Sequence, residues 1–294
     1  MAGAVRAGPS EGVRPLHAPW AGRHPPFSIA MSPLPEEDWL EVDDRREADL
    51  AEKVAILAAE PGVVMAEPGT GAAEAEAEAL IAAHLADRGL GHGRAGDAPH
   101  DAPPLVRAAL MVQDDLVLMR RGSEGWRLAS AVLCFPSSWS LAEKFGQPMD
   151  RLHEDVPGWA GPMGVRVARI FDALRPGPPV WRLNWSLQFG GGLRMARSKH
   201  SGPRAQGPME ALLLRVERQT LRKLPGGDIL FTIKVLLDPA AALERHPEGQ
   251  GLAAALSERL AGLSEDELAY KGLTATRDAI RARLSEIAEG PATR

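Results

Sequence analysis

Two runs of mixed apolar and polar residues, Leu212 to Leu224 and Asp228 to Leu237, meet at Pro225-Gly226-Gly227. Runs of this length on either side of such a turn specify an antiparallel hairpin. Just upstream, Trp181, Leu183, Trp185, Leu187 and Phe189 alternate with Arg182, Asn184, Ser186 and Gln188, the period of a strand with two unlike faces. Three successive strands linked this way require a mainly antiparallel sheet. With helical segments before and after them, the expected class is α+β.

The segments around this sheet can be read from the same kind of signal. Ala131 to Phe135 is an apolar run of strand length stopped by Pro136-Ser137-Ser138. Leu141 to Phe145 and Met149 to Asp155 read as short helices, the first closed by Gly146 and the second opened by Pro148. Val106 to Met119 reads as two strands folded about the polar turn Gln113-Asp114-Asp115. Helices are expected over 43–57, 72–88 and 165–174, and again throughout the chain after Pro239, where Ser264 and Glu267 have the spacing of a capping box. Residues 1–30, rich in Pro, Gly and Arg, are expected to form a flexible N-terminal arm. Residues 31–294 are expected to form a single domain with N-terminal and C-terminal helices, with 89–104 as a linker or loop.

Composition narrows the function classes. A chain of 294 residues that is 45% hydrophobic can bury a core, and its net charge of -5 gives no basic face for nucleic acid or an anionic membrane. No apolar run approaches the length of a bilayer span, and the one cysteine, Cys134, sits in an apolar strand, so a cytoplasmic location is expected. Gly91 to Gly96 matches a dinucleotide-loop pattern, but it follows a helix and opens no other. Gly8 to Gly12 matches a nucleophile-elbow pattern within the arm. Neither carries an assignment. His92 and His100 have no metal-ligand spacing around them, and His84 is expected to be solvated.

Two groups of residues stand out chemically. His153 ends a short helix, whereas most other histidines lie in Gly- and Pro-rich stretches; it is either a helix-end residue facing the last carbonyls or a metal ligand. Within one strand Arg182 and Asn184 share a face; within another Glu217, Gln219 and Leu221 share one face and Arg218, Thr220 and Arg222 the other. Such charge density suits either a solvated sheet face of paired ions or a pocket whose arginines grip carboxylates through bidentate hydrogen bonds.

An ordered set of motifs goes further. Val112-Gln-Asp-Asp-Leu, Val132-Leu-Cys-Phe-Pro-Ser-Ser-Trp, Lys144-Phe-Gly, Leu152-His-Glu-Asp-Val-Pro, Arg182-Leu-Asn-Trp, Glu217-Arg-Gln-Thr-Leu-Arg-Lys-Leu-Pro, Ile229-Leu-Phe-Thr-Ile-Lys and Tyr270-Lys-Gly occur in that order. Together they resemble the heme-dependent oxidative N-demethylase family, of the heme-carrying α-subunit type. The resemblance runs from about Pro33 to the C-terminal helices, and it departs from the family in the Arg- and Pro-rich first thirty residues and in Glu154-Asp155.

The resemblance implies a PAS-like sheet binding heme b and oxidation of a small methylated amine with O2. It also implies electrons from a separate flavin and iron–sulfur reductase. On that basis His153 is the expected axial ligand, since its helix precedes the three strands; His200 and Tyr270 are the alternatives, in a loop and between helices respectively. Lys144, Arg182, Asn184 and Arg222 are expected to hold the cofactor, and Glu217 and Arg218 to act at the substrate, with Glu217 holding its ammonium. Trp139 and Trp185 are expected to flank the pocket. A competing reading is a PAS-like sensor that binds heme or another small ligand without catalysis. The absence of a recognisable output module favours the enzyme.

Overall fold

The structure is a computed structural model, and it describes residues 14–197 and 206–290. Among these residues one sheet of seven strands, paired antiparallel throughout, runs in the order β1-β5-β6-β7-β3-β4-β2. The strands are β1 (Ser32–Pro33), β2 (Val64–Ala66), β3 (Asp115–Gly122), β4 (Gly125–Val132), β5 (Val180–Phe189), β6 (Leu212–Lys223) and β7 (Ile229–Pro239). The expected α+β class holds. The β6–β7 hairpin closes where expected: Leu224 N–H donates to Asp228 at 2.9 Å, and Gly227 takes a φ of 102° that a side chain would strain.

Alternation along the strands decides what covers each face. One face carries Leu116, Leu118, Val132 and Leu230 under α1 (Arg46–Ala59), α2 (Gly71–Asp87) and α3 (Pro104–Ala109). Farther along the same face, Trp185, Leu187, Leu214 and Val216 pack under α7 (Gly249–Ala261), α8 (Glu265–Lys271) and α9 (Arg277–Glu289). The opposite face carries Val117, Met119, Leu128, Leu221 and Ile229, facing α4 (Leu141–Lys144), α5 (Met149–Leu152) and α6 (Gly164–Ala173). Burying a large apolar side chain contributes about 1.5–3 kcal/mol, so these three clusters drive the assembly. The Ser264–Glu267 capping box is present, and α8 ends at Gly272 with a φ of 69°. Among the described residues, no helix is long and apolar enough to cross a membrane.

Several expectations require correction. Residues 106–109, expected as the start of a strand, are instead part of α3, which opens on Pro104 in its first turn, where the missing N–H costs nothing. The supposed polar turn that follows is buried. Gln113 donates to Asp43 and Asp49, and Lys53, wholly buried, donates to the carbonyls of Ala109, Val112 and Asp114. The Ala131 strand begins earlier than expected and ends at Val132. His84 is buried rather than solvated: its ring lies edge-on to Trp39 and its Nε2 accepts from Leu40 N–H.

The largest difference lies in residues 14–30, which are packed against the domain and do not leave it as an arm. Trp20 is 2% exposed, donates through Nε1 to the Leu252 carbonyl, and is held by Arg259, whose Nε donates to the Trp20 carbonyl. A tryptophan buries more apolar surface than the flanking prolines and glycines can oppose, so composition misread this segment. Residues 89–104 run as a loop, tied back by the hydrogen bond from Arg94 N–H to the Leu110 carbonyl.

Candidate functional site

Between the sheet and α4–α6 lies a cavity of about 990 Å³. Its sheet wall is apolar over Val117, Met119, Leu221, Phe231 and Ile233, which alternate inward along β3, β6 and β7. Its helical wall is built from Met149, Leu152, His153, Trp159, Val167, Ile170 and Phe171. The packed N-terminal segment supplies a third wall, with Phe27, Ile29 and Met31 on the cavity. A partly open cavity of this size, more apolar than polar and with polar groups converging on it, is a usual form of a cofactor or small-ligand site.

His153 caps the C-terminus of α5. Its Nδ1 lies 3.0 Å from the Met149 carbonyl oxygen, and its ring stacks on Trp159 at 4.1 Å between centroids and 15° between planes. A carbonyl oxygen only accepts, so Nδ1 carries the proton and the Nε2 lone pair is free. Burial pushes the imidazole down to about 4; the Met149 hydrogen bond opposes this, while the charges of Arg182 and Lys144 add to it. The ring is therefore neutral near pH 7. Among the described residues Nε2 has no hydrogen-bond partner. A histidine whose second nitrogen donates to a backbone carbonyl is the arrangement that metal-ligating imidazoles adopt.

Trp159 follows an irregular turn and is held by its indole N–H donating to Asp150 at 3.1 Å, which fixes the plate on which His153 rests. Lys144, at the end of α4, donates to the Leu152 carbonyl at 2.8 Å and so stands beside the histidine. Across the cavity, Arg182 Nε donates to Gln219 Oε1 at 2.7 Å. Gln219 Nε2 donates to Glu217 Oε2 at 2.7 Å, and Asn184 donates to the same oxygen at 3.3 Å. Burial lowers the Arg182 guanidinium from its usual value, with the Glu217 charge opposing. These four residues form the polar corner of the sheet wall.

Five of the seven expected site residues thus meet at one cavity: His153, Lys144, Arg182, Asn184 and Glu217. Arg218 and Arg222 do not. They alternate to the other face of β6, where Arg218 donates to the carbonyls of Trp39 and Asp38 and pairs with Glu41. Arg222 lies over the Trp39 ring at 4.3 Å and pairs with Glu36. Both tie the sheet to the segment before α1. Trp139, Trp185 and Tyr270 line the cavity, and His200 lies outside the described residues.

Sequence reasoning missed Asp115, Trp159, Gln219 and Lys271 as cavity residues, along with the whole N-terminal wall. Asp115 accepts from the Cys134 and Phe135 backbone amides at 2.8 and 2.7 Å, and burial raises its carboxyl to about 6. Lys271 donates to the Trp185 carbonyl at 2.7 Å and lies over the rings of Trp185 and Phe27. Trp20 was the one available signal for the N-terminal wall.

The fold and cavity define an α+β domain with a large pocket between sheet and helices and one neutral, fixed histidine on its helical wall. A family model described as "Haem-dependent oxidative N-demethylase, alpha subunit-like" matches residues 93–281, more than half of the chain. The protein belongs to this family. Its members are heme-dependent oxidative enzymes by that description, and the subunit designation implies a system of several components. The residues present suit the cofactor so named. His153 offers a free Nε2 to iron, the cavity walls offer an apolar bed to a macrocycle, and Lys144 offers a cation to its carboxylates.

Proposed function

We propose that the cavity binds heme b, with His153 Nε2 as the atom that would hold its iron. We further propose that the protein removes a methyl group from a small methylated amine by oxidation. The observation that carries this reading is the neutral His153 imidazole on the wall of the cavity, pinned at Nδ1 and, among the described residues, without a hydrogen-bond partner at Nε2. A PAS-like arrangement is supported by the central strand order β4-β3-β7-β6-β5 and by the short helices between β4 and β5. The buried, lone Cys134 supports a cytoplasmic setting.

Heme bound in such a site supplies the O2 and one-electron chemistry that amine oxidation requires. Overall, the methylated amine, O2, two electrons and two protons give the demethylated amine, formaldehyde and water. The electrons come from a separate flavin and iron–sulfur reductase, since Cys134 alone cannot ligate a cluster. The chain's own residues bind and orient. Trp159 stacking and the Met149 carbonyl keep the His153 ring from turning, and Lys144 meets a cofactor carboxylate. Val117, Leu221, Phe231 and Ile233 exclude water from the sheet side. Glu217, steadied by Asn184 and Gln219, holds the substrate ammonium. Arg218 and Arg222 take no part.

Purified protein reconstituted with hemin should show a Soret band that His153→Ala weakens or shifts. With a suitable reductase, a methylated amine should yield formaldehyde in step with O2 consumed. An unchanged spectrum in the variant would remove His153 as ligand. Reversible O2 binding without formaldehyde from any N-methyl compound would favour the sensor.

A further inference from the structure

We infer that the substrate is a zwitterion, an N-methylated α-amino acid rather than a simple methylated amine. This inference rests on the N-demethylase reading above and names the substrate class of that same site. The sheet wall of the cavity is largely apolar, with Asp115 turned to the Cys134 and Phe135 amides at the start of β3, and at one corner β5 and β6 present a guanidinium and a carboxylate side by side. In the strand register Arg182 stands opposite Gln219 and Asn184 opposite Glu217, so Arg182 and Glu217 are diagonal neighbours on one face.

Opposite charges so placed would ordinarily close into an ion pair. Here they do not: among the described residues no ion pair joins Arg182 to Glu217, and Gln219 stands between them as a spacer. Its carbonyl oxygen takes Arg182 Nε, and its amide nitrogen gives to Glu217 Oε2. Asn184 adds a second donor to that same oxygen. Among the described residues the two Nη groups of Arg182 and Oε1 of Glu217 have no hydrogen-bond partner in the chain.

A guanidinium with both Nη groups open grips a carboxylate in bidentate fashion, and an open carboxylate oxygen grips an ammonium. The corner is thus complementary to a molecule carrying both charges a bond or two apart. A simple amine satisfies Glu217 alone and leaves the half-buried Arg182 guanidinium without a counter-ion. The burial of Arg182, which already disfavours its charge, supports a counter-ion arriving with the ligand.

Calorimetry on hemin-loaded protein tests this with N-methylglycine and dimethylamine, beside the Arg182→Gln variant, with heme content read from the Soret band. N-methylglycine should bind roughly tenfold or more tightly than dimethylamine, the factor that one hydrogen bond to a charged group supplies. Arg182→Gln should collapse that ratio toward one while heme content stays the same. Dimethylamine binding as tightly as N-methylglycine overturns the proposal. So does a variant that loses heme with the ratio intact, since the guanidinium would then serve a cofactor carboxylate. Selective N-methylglycine binding with no formaldehyde from any N-methyl compound leaves the zwitterion site standing and removes the demethylation reading instead.

Discussion

Asp115 and Phe135 are joined across the start of β3 and the end of the β4 segment: the Asp115 carboxylate accepts the Phe135 amide at 2.7 Å and, with its other oxygen, that of Cys134. This clamp terminates the apolar run at the point where the chain turns toward the cavity, and it does so with a carboxyl group sealed from water.

The clamp has a signature in pH. Burial raises the Asp115 carboxyl from 3.8 to about 6, with Lys53 and the two amides opposing. Between those values the folded protein keeps a proton that the unfolded chain has released. Its stabilising contribution is therefore complete below pH 3.8 and is lost as pH rises through 6. Relative to Asp115→Asn, the wild type should gain on the order of 2 kcal/mol on acidification from pH 7 to pH 4, measured by urea midpoints. A constant offset between the two proteins would mean that the carboxyl titrates normally.

Arg218 and Lys144 should behave oppositely. Arg218 is 3% exposed and satisfies the carbonyls of Asp38 and Trp39, so Arg218→Ala should cost about 3 kcal/mol or more of folding stability. The fraction that folds should keep its cofactor spectrum. Lys144→Ala should cost under about 1 kcal/mol and weaken hemin retention. Thermal melts together with Soret titrations read both variants, and a spectral change confined to Arg218→Ala would reverse the assignment of faces.

Removing residues 1–31 should not be neutral. Trp20→Ala alone should lower stability by about 3–5 kcal/mol, because the indole is buried against α7 and donates to Leu252. The truncated protein should also hold hemin less well, since Phe27, Ile29 and Met31 form a cavity wall. Equal melting temperature and equal hemin affinity would return this segment to the status of an arm.

Ser138 holds a φ of 65° and a buried hydroxyl oxygen without a hydrogen-bond partner. The conformation persists because its amide donates to Met195 and Arg215 grips the carbonyls of Phe135 and Pro136 on the same loop. Ser138→Gly should raise stability by about 1 kcal/mol, and Ser138→Val should lower it, as differential scanning calorimetry would read.

Wherever local pattern determines the outcome, the sequence could be read correctly. The period of two over Trp181–Phe189, the Pro225-Gly-Gly turn and the Ser264–Glu267 box each became the element expected. The same alternation that put Glu217 and Arg218 on opposite faces was legible, yet which face held the cavity depended on what packs against it. Trp39 and Glu41, far away in sequence, claim the Arg218 face. Composition failed at residues 14–30 because one buried tryptophan outweighs a run of prolines, and at Gln113 and Asp115 because polar side chains can be buried when they find partners, as these do in Asp43, Asp49 and the Cys134 and Phe135 amides. Trp159 gave no sign of its role, since stacking on His153 is a property of two loops meeting.

The hydrogen bond from Trp20 to Leu252 spans 232 positions of the chain. During synthesis the sheet can form once β7 has left the ribosome, but the third wall has nothing to dock on until α7 has followed, and Lys271 joins it later still. A prosthetic group of the kind proposed for the chamber would therefore meet a protein already folded elsewhere, with residues 22–32 as the wall still to be seated.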